Sequence, residues 1–243
     1  MALGDIMREN DKIAAIRRCY VFSDVSEQSL AAMASTSDIL YYPAGTPLFM
    51  AGDPPDGLRV VLSGLVRIWI SDPEARELTL SLMEPGDPFG EIALLDGLPR
   101  SANATVVEAG ECLLMPADAL ERAMDIDPSL ARHLVGVLCE MLRRNTEALG
   151  AFAFLGLGGR LAQKIHDLAL DHAVSDGAGV RFKRNFSQTD LARMLGVSRE
   201  AVNKRLSALS HDGLISLDGG VLSVPDLSAL AARARSETGM SMR

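Results

Sequence analysis

The chain has 243 residues, 48% of them apolar and 23% charged, a globular composition that excludes wholesale disorder and a fibre. At roughly 100–200 residues per domain, it is long enough for two domains, each with its own core. The net charge of −8 is uneven: residues 1–155 hold 12 basic and 23 acidic residues and carry −11, whereas residues 156–243 hold 12 and 9 and carry +3, so the second half is the one suited to a polyanion.

Neither a leader nor a membrane span is expected. The start carries Asp5, Arg8, Glu9, Asp11, Lys12, Arg17 and Arg18 where a secretory leader would be apolar. The charge-free stretch from Ala148 to Gly159 contains four glycines and falls short of the roughly 18–20 apolar residues that a span needs. A cytoplasmic location is therefore expected. Cys19, Cys112 and Cys139 are odd in number and have no CxxC spacing, which argues against a disulfide scaffold, a zinc site or a thiolate cluster and leaves them as idle thiols.

From Ile39 to about Pro116 the segments are short, rich in Val, Leu and Ile, and punctuated by glycine, the pattern of a small antiparallel roll. Strands are predicted at Ile39–Tyr42, Leu58–Ser63, Leu65–Ile70, Glu77–Leu82 and Ala102–Val107. Within this region runs Phe89-Gly90-Glu91-Ile92-Ala93-Leu94-Leu95-Asp96-Gly97-Leu98-Pro99-Arg100-Ser101-Ala102-Asn103-Ala104. Gly90 lets the backbone approach a ligand closely, and a short helix from Glu91 would point N–H groups at an anion. Arg100 offers a bidentate fork, Ser101 a hydroxyl, and Glu91 an acceptor suited to a sugar hydroxyl rather than to a phosphate. An ion pair between Glu91 and Arg100 flanking a turn is the bland alternative.

The whole string resembles the phosphate-binding cassette of cyclic-nucleotide-binding domains: FGE, a small apolar helix, then GxPRSA. The resemblance implies that Gly90 and Glu91 hold the ribose 2′-hydroxyl and that Arg100 and Ser101 hold the cyclic phosphate, with Ile92 and Ala93 in the same site. Tyr42-Pro43-Ala44-Gly45, Gly52 and Leu58 through Gly64 resemble the roll of that family.

From Pro128 to Phe154 one long helix is predicted, with Asp127 as cap and Pro128 in the first turn. Leu134, Leu138, Met141, Asn145, Ala148 and Phe152 follow the spacing of a two-stranded coiled coil and predict a seam with a second copy. Val135, Leu142 and Leu149 form a second stripe, expected to pack on the roll of the same chain.

Beyond the helix, Ser187 is predicted to cap a helix with inward Leu191, Ala192 and Leu195. Gly196 makes the turn, and Ser198 caps a second helix held by Val202 and Leu206. This is helix-turn-helix spacing. Arg199, Glu200, Asn203 and Lys204 share the outer face of the second helix, where base edges are read. Ser187, Gln188 and Ser198 are placed with them on the DNA-binding surface. Leu214–Leu217 and Val221–Val224 around Asp218-Gly219-Gly220 predict a hairpin wing.

Both halves in this order resemble transcription regulators of the cyclic-AMP receptor protein family. The resemblance implies an α+β protein: a cyclic-nucleotide-binding β-roll over residues 1–127, a dimerisation helix over 128–155 and a winged helix-turn-helix domain over 156–243. It implies a homodimer that takes cyclic AMP or cyclic GMP as allosteric effector, binds palindromic double-stranded DNA and contacts RNA polymerase, with no membrane partner. Where the best-known member meets the purine with a Thr-Ser pair, this chain has Asn145 and Thr146. Where that member reads a third base with Arg, this chain has Lys204. Gly156, Gly158 and Gly159 are expected to loosen the hinge. No nucleophile elbow, P-loop, HExxH or His/Cys cluster points to an enzyme or a haem sensor; a different effector, or activity without one, is the alternative within the same architecture.

Overall fold

The computed structural model describes residues 3–219 and 221–236. They fall into two compact units, Met1–Asp72 with Thr79–Met141, and Pro73–Leu78 with Leu142–Arg243. In chain order the first part contains α1 (Leu3–Arg18), a 3-10 turn at Tyr20–Phe22, α2 (Glu27–Thr36), β1 (Asp38–Tyr42), β2 (Pro47–Phe49), β3 (Leu58–Val61), β4 (Leu65–Ser71), β5 (Glu77–Met83), β6 (Pro88–Phe89), α3 (Glu91–Asp96), β7 (Asn103–Glu108), β8 (Gly110–Met115), α4 (Ala117–Ile126) and α5 (Ser129–Phe154). Two four-stranded antiparallel sheets, ordered β1-β8-β3-β6 and β2-β7-β4-β5, form the roll. The predicted strands recur within a residue or two of their expected ends. Helices α1, α2 and α4 are additions that the strand pattern did not outline. Ser26 starts α2, its Oγ accepting from the Ser29 N–H at 3.3 Å.

Strand β3 runs through the middle of its sheet and all four of its residues are buried, which explains a run without polar alternation. Its side chains divide between two faces. Leu58 and Val60 join Phe22, Leu30, Met33 and Leu113 in one core, while Val61 joins Phe89, Val66 and Val106 in another. Arg59 shares the Val61 face because side chains along a strand alternate.

Helix α5 starts where predicted, Asp127 Oδ1 accepting from both the Ser129 N–H (3.1 Å) and its hydroxyl (2.6 Å). The two stripes only partly follow expectation: the first residues of the predicted seam face the roll, its later residues Asn145, Ala148 and Phe152 are exposed, and the second stripe does not pack on the roll. Leu134 is only 5% exposed and lies with Leu130 and Val137 against the core of the roll, whereas Val135, Leu142 and Leu149 are 58%, 67% and 68% exposed. The reason is phase: Leu130, Leu134, Val137 and Leu138 lie on one side of the helix through i+3/i+4 spacing, and the roll is built against that side. The outward stripe is Val135, Leu142, Leu149 and Phe152. Leu134→Ala is accordingly expected to lower the unfolding free energy by roughly 2–5 kcal/mol in denaturant titration; a loss under about 0.5 kcal/mol would return Leu134 to the outer face.

The second part contains α6 (Leu157–His172), β9 (Ala173–Asp176), β10 (Gly179–Phe182), α7 (Gln188–Leu195), α8 (Arg199–His211), β11 (Ser216–Asp218), β12 (Val221–Val224) and α9 (Leu227–Ser236), with a sheet ordered β11-β12-β10-β9. Helices α7 and α8 begin at Ser187 and Ser198 as predicted; Leu191, Ala192, Leu195, Val202 and Leu206 are buried. Gly196 turns between them at φ +64°, a left-handed conformation that favours glycine. The β11–β12 hairpin is the wing, although Gly220 of its predicted turn lies outside the described residues. The hinge glycines differ from expectation. Gly156 caps α6 without a side-chain bond, but Gly158 and Gly159 are buried within the first turn of α6, where they serve packing rather than freedom. Among the described residues no helix is long and apolar enough to cross a membrane.

Candidate functional site

The first site grows from the β6–α3 turn. Gly90 stands at φ +84°, and a Cβ there would lie 2.5 Å from Arg100 Nη1, so only glycine leaves the guanidinium its place. Arg100 is 3% exposed. Its Nη1 donates to the Gly90 carbonyl at 2.6 Å, and its Nη2 donates to the Gly57 carbonyl at 2.7 Å and to Asp56 Oδ1 at 2.5 Å. The guanidinium lies over the Phe49 ring, 4.3 Å from the centroid. Glu91 is buried beside it, and burial pushes its carboxyl up from the ordinary range while its own backbone N–H and the charge of Arg100 pull the other way. A cleft lined by Leu58, Pro88, Leu95, Leu134 and Leu138 opens next to Glu91. It is apolar except for that carboxyl.

The remaining cassette residues divide. Ala93 is buried, holding α3 to the roll; Ile92 and Ser101 are exposed. The structure thus brings Gly90, Glu91, Ala93 and Arg100 together. Asn145 and Thr146 are exposed on α5 in the other unit, and the Thr146 hydroxyl donates back to the Leu142 carbonyl at 2.9 Å.

Three residues escape the sequence reading: Asp56, Arg59 and Phe49. Arg59 is 4% exposed, donates to Asp56 through Nη1 (2.9 Å) and Nη2 (2.6 Å), and also lies over Phe49, 5.5 Å from the centroid. The available signal was an arginine inside the apolar run Leu58-Arg59-Val60-Val61, since a charge there must be paired. Partial burial would raise the Asp56 carboxyl, but hydrogen bonds and charge from Arg59 and then Arg100 outweigh it and hold it at about 2. A depressed carboxyl contributes stability that is present above its unfolded value of 3.8 and is lost as pH falls toward 2. The stability difference between the wild type and Asp56→Asn should therefore be full at pH 5 and shrink between about pH 4 and pH 2 in paired denaturant titrations; a difference constant over that window would mean that Asp56 is not held by the arginines.

The second site is the outer face of α7 and α8. Ser187 accepts from the Asp190 N–H at 3.1 Å while Asp190 accepts from the Ser187 N–H at 2.9 Å, a reciprocal capping box. Ser198 caps α8 through the Ala201 N–H at 3.2 Å. Arg199, Glu200, Asn203 and Lys204 are all exposed. Gln188 links two of them, its Nε2 donating to Asn203 Oδ1 at 2.9 Å and its Oε1 accepting from Arg199 Nε at 3.3 Å. Glu200 is held below the usual carboxylate range by its own backbone N–H, by the Ser198 hydroxyl and by Arg199. It is thus an ionised acceptor among donors. Cys19 and Cys112 are buried, and burial raises their thiols to about 12 and about 11. No metal-binding group of His, Cys, Asp or Glu occurs among the described residues.

Comparison with known proteins matches both parts of the chain to known domains. Residues 39–127 match the cyclic nucleotide-binding domain and residues 159–233 the Crp-like helix-turn-helix domain. A CRP-like cAMP-activated global transcriptional regulator from Mycobacterium tuberculosis is 33% identical over 225 residues, covering 93% of this chain and all of that protein. The cyclic AMP receptor protein of Thermus thermophilus is 33% identical over 189 residues, 78% of this chain and 84% of that one. Among solved structures, the c-di-GMP responsive global regulator CLP of Xanthomonas campestris matches with a TM-score of 0.72 at 25% identity, covering 83% of this chain and all of its own. With a cyclic nucleotide-binding domain matched in one part, a Crp-like helix-turn-helix domain in the other, and a relative matched over its whole length, the chain belongs to the CRP family of cyclic-nucleotide-binding transcription regulators.

Proposed function

We propose that the chain is a cytoplasmic homodimer that takes a cyclic nucleotide, cyclic AMP before cyclic GMP, and in response binds a palindromic DNA site to regulate transcription through RNA polymerase. The observation that carries this reading is the Arg100 guanidinium, buried and aimed between Gly90 and Asp56, because a fork out of water binds a phosphodiester far more strongly than a surface arginine does. Arg100 and Ser101 are assigned to the cyclic phosphate, Gly90 and Glu91 to the ribose hydroxyl, Ile92 and Ala93 to the short helix that frames them, and Asn145 and Thr146 to the base. Two relatives whose names carry cyclic AMP support that choice of nucleotide.

On the DNA side, Arg199, Glu200, Asn203 and Lys204 are assigned to base edges and phosphates, with Gln188 holding Arg199 and Asn203 in position and Ser187 and Ser198 bringing helix N-termini toward the backbone. Domain limits of 1–127, 128–155 and 156–243 follow from these roles. Two-fold symmetry places the half-sites about 34 Å apart, one turn of duplex. The ligand acts by shifting a population: it favours whichever dimer geometry presents both recognition helices, by as much as its affinities for the two geometries differ.

Calorimetry with cyclic AMP, cyclic GMP and cyclic di-GMP, followed by gel mobility on a palindromic duplex with and without each ligand, tests this directly. Cyclic AMP should bind tightest and sharpen duplex binding. Mobility indifferent to all three would overturn the reading, and a response to cyclic di-GMP alone would replace the effector.

A further inference from the structure

The cradle around Arg100 contains an anion of its own. Of the three acceptors that hold the guanidinium, the Gly57 and Gly90 carbonyls are backbone and only Asp56 carries charge; its side chain is 51% exposed while that of Arg100 is 1% exposed. A phosphate arriving from solvent therefore reaches Nη2 by way of the place that Asp56 occupies.

Arg59, which lies outside the cassette, decides what such an exchange costs. Its side chain is 5% exposed and grips both oxygens of Asp56, whereas Arg100 reaches only Oδ1. A carboxylate that gives up Arg100 still keeps two charged hydrogen bonds, so no buried charge is orphaned by the exchange. The Nε groups of Arg59 and Arg100 are both buried without a hydrogen-bond partner, so the pair still has donors to offer.

We propose that Asp56 is a built-in competitor of the ligand's phosphate at Arg100, and that Arg59 is the positioning residue that receives Asp56 when the phosphate takes over. This rests on the assignment of Arg100 to the phosphate. The contact sets affinity by subtraction: the ligand gains Arg100 less what Asp56 gave up. Because Asp56 stays ionised at any physiological pH, the competition is constant rather than pH-gated.

Calorimetric titration of the full chain with cyclic AMP separates the parts. Asp56→Asn should bind about tenfold more tightly, the worth of one partly solvated charged hydrogen bond. Arg59→Gln should bind several-fold more weakly, because Asp56 is then left to Arg100 alone. The double variant should regain at least the wild-type affinity, while a loss caused only by damaged packing would persist in it. Arg59→Lys, which keeps the charge but not the fork, should fall between wild type and Arg59→Gln. Wild type binding with Asp56→Asn equal or weaker would overturn the competitor role alone. A double variant as weak as Arg59→Gln would overturn the role of Arg59. Absence of cyclic-nucleotide binding in both wild type and Asp56→Asn would remove the assignment of Arg100 itself, whereas binding by Asp56→Asn only would support both.

Discussion

Arg100→Ala should lose about a hundredfold or more in cyclic-nucleotide affinity while leaving duplex binding by the C-terminal unit available. A buried, charge-assisted fork contributes roughly 1.5–3 kcal/mol per hydrogen bond, and about 1.4 kcal/mol is a decade in affinity. The side chain is out of water and already directed by Gly90 and Gly57, so little ordering has to be bought on binding. Truncation also leaves those two carbonyls without their donor, a stability cost of about 1–3 kcal/mol each at most. Thermal unfolding run beside calorimetry separates the two effects, and Arg100→Lys adds a test of geometry. Lysine keeps the charge but cannot serve three acceptors as a planar fork does, so it should recover only part of the affinity. Wild-type affinity in Arg100→Ala would refute the site.

The second large effect concerns the outward face of α5. Val135, Leu142, Leu149 and Phe152 are apolar residues, 58–68% exposed, at spacings of seven, seven and three. Such a stripe on a soluble helix marks an interface, and its repeat fits a second copy of the same helix better than an irregular partner. Replacing Leu142 and Leu149 together by Asp should convert the proposed dimer to monomer in sedimentation. It should weaken binding to a two-half-site duplex by about a hundredfold or more, because the second half-site is no longer tethered to the first. Binding to a single half-site should change little. A double variant that still sediments as a dimer would move the interface elsewhere.

Much of this was legible in the primary chain because the signals are local. Ser187 and Ser198 cap helices for reasons contained within three residues of themselves, and Gly90 and Gly196 are required by backbone dihedrals that other residues resist. The strands of the roll announce themselves by short apolar runs between glycines. Arg100 and Glu91 were recognisable because the cassette is contiguous, so one string carries both the turn and the fork.

What the chain did not disclose depends on residues far apart in sequence meeting in space. Both stripes of α5 have apolar character, and periodicity gives their spacing but not which one faces the roll; that was decided by where Leu58, Val60 and Leu113 put the core. Asp56 sits 44 residues from Arg100 and meets it because β3 pairs with β6 and because the Arg100 backbone bonds to Gly52 and Asp53. Sequence determined the types of elements, their order and the chemistry of the cassette and recognition helix, since propensity, capping and turn geometry act within a few residues. Tertiary structure alone decided which faces are buried and which charges share a partner, because desolvation and pairing depend on neighbours that only the packed fold supplies.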